Sequence, residues 1–353
     1  MKDQPLVKPL ADTRIVEFEG IGPGPLAGLL LAQLGAEVVL ISRPGKGALP
    51  DSLTSGINGT LHRNKRHVVL DLKVSTDRQQ ALDLIGRSDG LIEGNRPGVM
   101  ERLGLGPADC ARINPRLVYG RMTGWGQDGP LASAAGHDIN YVALTGLMSL
   151  TERPGHPPMT PPTVLGDAVG ALGLTLGMVS GLLSARNRAE GCVVDAAIVD
   201  VLAMLSPLVQ LVRRGGELES PAPSIFHDSP FYDRYRCADG RYITIGAIEP
   251  KFYQVLLDLL GLTDLDPGHQ MDRSRWSAIK SRIAEAFESQ PRDFWVGVLE
   301  GTDACFAPVL NLAEAARHPH NLARGLYTVT DQGDIETARG LRLHPLSPTP
   351  TPR

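Results

Sequence analysis

Runs of apolar residues in the first half of the chain alternate between the lengths expected of buried strands and of helices. Residues 14–18 and 37–42 have the pattern of strands, and the apolar stretch 26–34 between them has that of a helix. Such a strand–helix–strand unit places its two strands parallel in one sheet. Further strands are predicted at 67–72, 90–93 and 116–122, with helices at 78–87 and ending near Ile113. The first 190 or so residues are therefore predicted to form an open, Rossmann-like α/β domain.

The pattern changes in the second half of the chain. A helical run at 195–212 is followed by a charged, proline-containing stretch at 213–223 with the composition of a linker. Two alternating segments, 231–236 and 241–246, flank an Asp-Gly step and predict a β-hairpin, and the helical periods that follow complete a smaller α+β domain. The predicted boundaries are a large α/β domain at 1–190, a linker helix and connection at 191–225, a small α+β domain at 226–320, and a C-terminal segment at 321–353 that returns towards the large domain.

The stretch 168–185 carries no charge and is bracketed by Asp167 and Arg186. Its length is at the lower limit for a membrane-spanning helix. Glycines recur in it at four-residue spacing, which also allows two helices of a soluble protein to approach closely. We therefore expect a buried core helix and no membrane span.

Composition narrows the function classes. A net charge of −4 over 353 residues argues against a general nucleic-acid binder, which needs a basic surface. The four cysteines are widely spaced and contain no Cys-x-x-Cys pair, so neither a zinc site nor a disulfide framework is predicted. The N-terminal residues lack the apolar core of a signal peptide, which predicts a cytoplasmic protein. We also expect no bound metal.

The segment 22–27 matches the glycine fingerprint of dinucleotide-binding proteins, since it follows a strand and opens a helix. An NADP-dependent reductase is thus an alternative, with Arg43 pairing a 2′-phosphate. However, Pro23 and Pro25 remove N–H donors that a pyrophosphate loop would use. The second strand also ends in Ser42 and Arg43, with no acidic residue for a ribose. A phosphorylated adenosine of another kind, such as that of coenzyme A, fits Arg43 better.

Four motifs carry a more specific signal: Y-G-R-M-T-G-W-G-Q-D-G-P at 119–130, G-H-D-I-N-Y at 136–141, E-G-N-R-P-G-V-M-E-R-L-G-L at 93–105, and S-R-P-G at 42–45. Together they resemble the α-methylacyl-CoA racemase branch of the family III CoA-transferases, the CaiB/BaiF superfamily. The resemblance extends from Ile15 to about Gly325. It implies the family III CoA-transferase fold, an acyl-CoA substrate from lipid metabolism, and an interlocked homodimer whose active sites lie where a large domain meets the partner's small domain. No separate cofactor is implied, because coenzyme A is part of the substrate.

The resemblance also implies roles for individual residues. The catalytic candidates are His137, Asp167, Glu249 and Asp138. The candidates for binding the substrate and its coenzyme A are Arg43, Leu70, Asp71, Leu72, Lys73, Arg96, Gly136, Ile139, Asn140 and Tyr141. A segment containing Lys65 and Arg66 resembles a further CoA-binding stretch, although a solvated basic loop would look the same.

The types of the catalytic candidates suit inversion at a carbon next to a thioester. Inversion needs one group that removes the α-proton and a second that delivers a proton to the opposite face. His137 would serve one epimer and Asp167 the other, while Glu249 would hold or polarise His137, with help from Asp138. Asp167 is expected at the start of the helix 168–185, where N–H groups could also bind the enolate oxygen.

Two other functions remain open. In a CoA-transferase the aspartate attacks the thioester and forms a covalent intermediate, so Asp167 alone cannot discriminate, whereas His137 favours the racemase. An inactive acyl-CoA-binding scaffold is the third possibility. The chain departs from racemases in having Thr163 where Asn is frequent, Glu19 where a small residue is common, and an altered stretch 168–171 after the aspartate.

Overall fold

The computed structural model describes residues 6–45, 60–153, 155–219, 222–330, 333, 335–337 and 340–346. The chain divides into two compact units. The first contains Met1–Ser206 and Glu336–Arg353, and the second contains Pro207–Ile335. The C-terminal segment joins the first unit near its beginning, where the Val7 N–H donates to the Leu343 carbonyl at 2.8 Å.

A six-stranded sheet forms the centre of the first unit. Its strands are β1 (Arg14–Phe18), β2 (Glu37–Ser42), β3 (Arg66–Val69), β4 (Gly90–Glu93), β5 (Val118–Thr123) and β6 (Cys192–Ala197). Its helices are α1 (Pro23–Gln33), α2 (Ser75–Ile85), α3 (Val99–Arg102), α4 (Pro107–Ile113), α5 (Asp138–Leu144), α6 (Val169–Arg188) and α7 (Ile198–Ala203). A 3₁₀ turn at Met148–Thr151 and a π-helical turn at Val164–Ala168 lie between α5 and α6.

All strand pairs of this sheet are parallel, in the order β3-β2-β1-β4-β5-β6. The central strand β1 pairs Val16 with Val39 of β2 and with Leu91 of β4. Ile15 packs into one apolar cluster and Val16 into another, so helices cover both faces of the sheet. The Rossmann-like α/β fold predicted from the sequence is confirmed.

The strand β6 was not predicted, and the helical run expected at 195–212 is wrong over its first residues. Cys192–Ala197 pairs in parallel with β5, and the helix α7 begins only at Ile198. The run of Asp and Ala residues is compatible with a helix, but pairing with a distant strand overrides this local preference. Consequently β6 and α7 belong to the first unit, and the predicted start of the connection at 191 lies too early.

The glycines of α6 allow that helix to lie close to the sheet. A Cβ at Gly177 would stand 2.4 Å from Val194 of β6, and one at Gly181 would stand 2.6 Å from Val118 of β5. Within the described residues, the apolar segment Val164–Arg188 is one that could cross a membrane by length and composition, as core helices of soluble proteins also could. Its glycine spacing is explained by packing on strands, and the absence of a membrane span stays a prediction.

The second unit is built on a three-stranded antiparallel sheet. It contains α8 (from Ser206 to Arg214), β7 (Tyr232–Arg236), β8 (Tyr242–Gly246), α9 (Pro250–Leu259), α10 (Trp276–Glu288), α11 (Arg292–Leu299), β9 (Phe306–Pro308), α12 (Leu312–Arg317), α13 (Pro319–Arg324), β10 (Tyr327–Val329) and the start of β11 (Ile335–Thr337). The predicted hairpin is confirmed, because Tyr235 pairs with Ile243 across β7 and β8. The apolar core of the second unit contains the buried rings of Trp276 and Phe287.

Candidate active site

A cleft of about 1090 Å³ opens at the carboxyl ends of the parallel strands of the first unit. Open α/β sheets bind ligands at this edge, next to the point where the strand order reverses. The cleft is lined by residues that follow β1 to β5 and by parts of α5 and the π-helical turn. These include Gly20–Pro25 except Gly22, Ser42 and Arg43, Leu70 to Lys73, Gly94 to Pro97, Thr123 to Trp125, Gly136, His137, Tyr141 and Asp167.

Asp167 lies in the π-helical turn that precedes α6, two residues before the α-helix begins at Val169. The turn is entered through Thr163, whose φ of 62° is left-handed, and the Ala168 N–H donates to the Thr163 carbonyl at 3.3 Å. Such turns often occur at functional sites. The helix was expected from residue 168 and begins as an α-helix at Val169.

Asp138 fixes the Asp167 segment. Its buried carboxylate accepts hydrogen bonds from the Gly166 and Asp167 N–H groups, both at 2.7 Å. A Cβ at Gly166 would lie 2.6 Å from the same oxygen, so this contact requires glycine. Asp138 thereby joins the start of α5 to the residues before α6. These two N–H groups are already paired, so the prediction that this helix terminus donates to an enolate oxygen does not hold for them.

The Asp167 carboxyl has an unusual titration. Burial, together with the charge of Asp138, raises its pKa to about 6, although His137 acts in the opposite direction. One of its oxygens lies against the glycine–proline loop, which we define as the turn at residues 20–22 together with the first three residues of α1, 23–25. A Cβ at Gly22 would stand 2.9 Å from Asp167 Oδ2, and Gly22 also has a left-handed φ of 65°. Gly22 therefore makes room for a carboxylate, which explains a glycine that the dinucleotide fingerprint would assign to a pyrophosphate.

His137 is the residue immediately before α5 and is exposed on the cleft wall. Its backbone N–H donates to Asn140 Oδ1 at 3.0 Å, which fixes the start of the helix. Tyr141 lies one turn later, donates its hydroxyl proton to the Gly136 carbonyl, and packs edge-on against Trp125 with ring centroids 4.7 Å apart. Burial and the nearby Asp167 raise the pKa of Tyr141, whereas Arg96 lowers it.

Several predicted coenzyme A contacts come together along the cleft: Arg43, Leu70, Asp71, Leu72, Lys73, Arg96 and Gly136. The Arg43 N–H donates to the Glu19 carboxylate at 3.1 Å, while 65% of its side chain remains exposed. Glu93 accepts from the Asn95 N–H at 2.7 Å and from Arg121 Nε at 3.1 Å, which fixes the loop that carries Arg96. The two guanidinium groups are thus presented by anchored backbone.

Other predicted site residues lie elsewhere. Among the described residues that line the cleft, Ile139 and Asn140 do not appear, and Asp138 lies behind the wall. Glu249 belongs to the second unit, where it is exposed and precedes α9. The buried Gln270 side chain donates to the Ala247 and Ile248 carbonyls, both at 2.9 Å, and so holds the chain just before Glu249.

Lys65 neither lines the cleft nor belongs to a solvated basic loop, so both interpretations of this residue, CoA binding and a solvated loop, are wrong. Its side chain is fully buried and contacts the equally buried Glu17 at 2.7 Å. Arg66 is exposed and lies 3.9 Å from Glu37. Two signals could have revealed the pair: a glutamate within the apolar strand β1, and a glycine, Gly28, inside the apolar helix α1. In the ranges that the structure describes, no group of three or more His, Cys, Asp or Glu residues is arranged to hold a metal ion.

Comparison with known proteins shows which sequences and structures this chain is similar to. A model of CoA-transferase family III matches residues 10–352. The α-methylacyl-CoA racemase of Homo sapiens is 39% identical over 324 residues, covering 91% of this chain and 83% of that protein. The acetyl-CoA:oxalate CoA-transferase of Acetobacter aceti is 30% identical over 330 residues, covering 88% and 83%. The crystal structure of Rv3272 from Mycobacterium tuberculosis is similar with a TM-score of 0.79 and 28% identity, covering 95% of this chain and 94% of that one.

Proposed function

The chain belongs to the family III CoA-transferases, and within this family we propose that it is a racemase that inverts the α-carbon of 2-methylacyl-CoA thioesters. The observation that carries the proposal is that His137 and Asp167 both line one cleft of the first unit. The greater identity to a racemase (39%) than to a CoA-transferase (30%) supports it.

The two side chains suit the reaction. One base removes the α-proton, which leaves a thioester enolate, and the conjugate acid of the other delivers a proton to the opposite face of the same carbon. Burial raises the pKa of Asp167 to about 6, so its carboxyl can take up and return a proton close to neutral pH. We assign Asp167 to one epimer and His137 to the other.

The remaining candidates bind or assist. Arg43 and Arg96 present guanidinium groups suited to the phosphates of coenzyme A, and Leu70 to Lys73 line the same cleft. Asp138 supports the Asp167 segment. We further propose that the protein is a cytoplasmic homodimer. In it, Glu249 would orient His137 of the partner subunit. Exposed leucines along α6 (Leu172, Leu176 and Leu183) support an association that would cover them.

A CoA-transferase is the second candidate, because several relatives are named as such. In that mechanism the Asp167 carboxylate attacks the thioester carbonyl, expels the CoA thiolate and forms a mixed anhydride. A CoA-transferase needs no second proton-transfer group beside Asp167. The presence of His137 on the same cleft therefore favours the racemase.

The distinguishing experiment is NMR of the protein with an enantiopure (S)-2-methylacyl-CoA in D₂O. A racemase incorporates deuterium at the α-carbon while the R epimer accumulates. A transferase leaves the α-proton in place and, when a free carboxylate is added, yields its CoA thioester. Transfer without α-exchange would overturn the racemase proposal in favour of the second candidate.

A further inference from the structure

A buried ion pair lies beneath the glycine–proline loop. Lys65 Nζ is 2.8 and 2.7 Å from the two carboxylate oxygens of Glu17, and neither side chain has any exposed surface. His62 Nδ1 lies 3.4 Å from Lys65 Nζ. Burial, followed by the charge of Lys65, lowers the pKa of His62 to about 4, so that its ring is neutral at pH 7. The proposed reaction uses none of these three groups.

The pair is not explained by stability alone. Replacing a buried ion pair with apolar residues of similar size is often neutral or stabilising. Here the chain also lacks a side chain at Gly28, where a Cβ would stand 1.7 Å from Glu17 Oε2. A glycine inside a helix is less stable than alanine at the same position. Both features favour a specific role for the pair.

Lys65 makes one more hydrogen bond, and it points to that role. Its Nζ donates to the Pro25 carbonyl at 2.9 Å, at the end of the glycine–proline loop. Pro25 lies in the first turn of α1, and because Pro23 and Pro25 have no N–H, neither can donate a backbone hydrogen bond from the start of this helix to a neighbouring segment. Gly22, in the same loop, lies against Asp167 Oδ2. A chain of contacts therefore runs from Glu17 through Lys65 and the loop to Asp167.

We propose that Lys65 is a positioning residue, whose buried ammonium group, held by Glu17, fixes the Pro25 carbonyl and with it the wall of the cleft against Asp167. The inference rests on the proposed role of Asp167 in proton transfer. If Lys65 no longer held this wall, Asp167 would be less enclosed. The titratable groups that otherwise act on Asp167 are Asp138 and His137, with Tyr141 beside it, and none of them contacts Lys65 among the described hydrogen bonds and ion pairs.

Two substitutions separate the tie to the loop from the ion pair itself. Lys65→Met and Glu17→Gln both remove the ion pair, but only Lys65→Met removes the donor to Pro25. In Glu17→Gln the buried amine still donates, because burial lowers the pKa of Lys65 and a neutral amine retains its hydrogens. We expect kcat for α-proton exchange to fall about 10- to 30-fold in Lys65→Met, with KM within about 2-fold, since small displacements of a reacting group cost up to about 100-fold. Glu17→Gln should stay within about 3-fold of the wild-type kcat.

The pKa of Asp167, followed by ¹³C NMR of labelled aspartate carboxyls, gives a readout that lost stability alone would not move. The pKa should fall in Lys65→Met, because the carboxyl becomes less buried, and remain unchanged in Glu17→Gln. Arg292→Met is the matched control: it removes a buried cation of the second unit that lies 2.7 Å from Glu314, and it should lower the melting temperature without shifting Asp167.

A double variant keeps the test valid if Lys65→Met folds poorly. Glu17→Gln/Lys65→Met contains no buried charge at this position but still lacks the tie, so we expect it to be stable and as slow as Lys65→Met. Wild-type kcat in the double variant, or equal losses in the two single variants, would overturn the proposal.

Failure of the proposed function would be visible separately. If the wild-type protein exchanged no α-proton, the racemase proposal would fail, whereas the Asp167 titration and the amide hydrogen exchange of residues 20–27 would still test the tie. Faster exchange of these amides in Lys65→Met than in Glu17→Gln supports the tie, and equal rates with an unshifted Asp167 pKa contradict it.

Discussion

Glu17 and Asp167 are carboxylates of the same unit whose pKa is raised by burial, to about 7 and about 6 respectively, yet their surroundings differ. Glu17 is enclosed and lies against the Lys65 ammonium, whereas Asp167 lines the cleft and lies near a second carboxylate, Asp138. Burial alone therefore does not make a catalytic group. A carboxyl with a raised pKa is useful for proton transfer only where a ligand can reach it and where it is not already paired with a fixed cation.

The largest expected effect comes from removing the ionisable group at the cleft. Asp167→Asn keeps the shape of the side chain but cannot accept a proton, so exchange of the α-proton of the epimer that Asp167 deprotonates should fall at least about 1000-fold. Deuterium incorporation measures it, with circular dichroism to verify folding. Glu17→Gln, the matching change in the enclosed region, should leave most activity. Comparable losses of activity in the two variants would contradict the difference proposed between the Asp167 cleft and the enclosed Glu17–Lys65 pair.

Removing the support of Asp167 should have a smaller effect. Asp138→Ala leaves the Gly166 and Asp167 N–H groups without their acceptor, and we expect about 100-fold slower exchange together with about 2 kcal/mol lower stability. Asp138→Asn retains an oxygen for these N–H groups but removes the charge that raises the pKa of Asp167. In Asp138→Asn the acidic limb of the pH–rate profile should therefore move to lower pH. An unmoved limb would contradict the electrostatic role of Asp138.

The raised pKa of Asp167 also predicts how stability varies with pH. The folded protein holds this proton up to about pH 6, whereas the unfolded chain loses it at about pH 4, where aspartate ordinarily titrates. The fold therefore favours the protonated carboxyl. The stability that this preference contributes is fully present below about pH 4 and is lost as pH rises through about 6. Asp167→Asn should gain melting temperature relative to wild type between pH 4 and pH 8. A constant difference across that range would contradict the raised pKa.

The smallest expected effect concerns the backbone at Thr163. A β-branched residue at a left-handed φ of 62° is strained, and asparagine, frequent here in the racemases that this chain resembles, tolerates that conformation. Thr163→Asn or Thr163→Gly should stabilise the protein by about 1 kcal/mol in urea unfolding. Thr163→Ala is the control, since alanine gains no freedom at positive φ. Equal stabilities for all four residues would exclude strain at this position.

Local patterns were sufficient to predict much of the fold. The bounds of β1, β2 and β4 agree with the expected strands because each is a short apolar run between polar turns. The strand β6 escaped prediction, since its alanines suit a helix and its pairing partner, β5, is about 70 residues away.

The candidate site, like the fold, was predicted from the sequence only in part. Motifs identified His137 and Asp167, and the structure brings both to one cleft. The Asp138 bonds to the Asp167 segment and the Glu17–Lys65 pair connect residues 28 to 48 positions apart, and no local spacing predicts such contacts. Gly22 is the opposite case. Its local pattern suggests a phosphate-binding loop, whereas in the structure it makes room for the Asp167 carboxylate.

The most direct test of two-base inversion compares His137→Ala and Asp167→Asn with each pure epimer of a 2-methylacyl-CoA in D₂O. Our account predicts opposite asymmetry: one variant still exchanges the α-proton of the S epimer, the other still exchanges that of the R epimer, and neither inverts the carbon at a wild-type rate. Equal, mild losses for both epimers in both variants would contradict the assignment of His137 and Asp167 as the two bases.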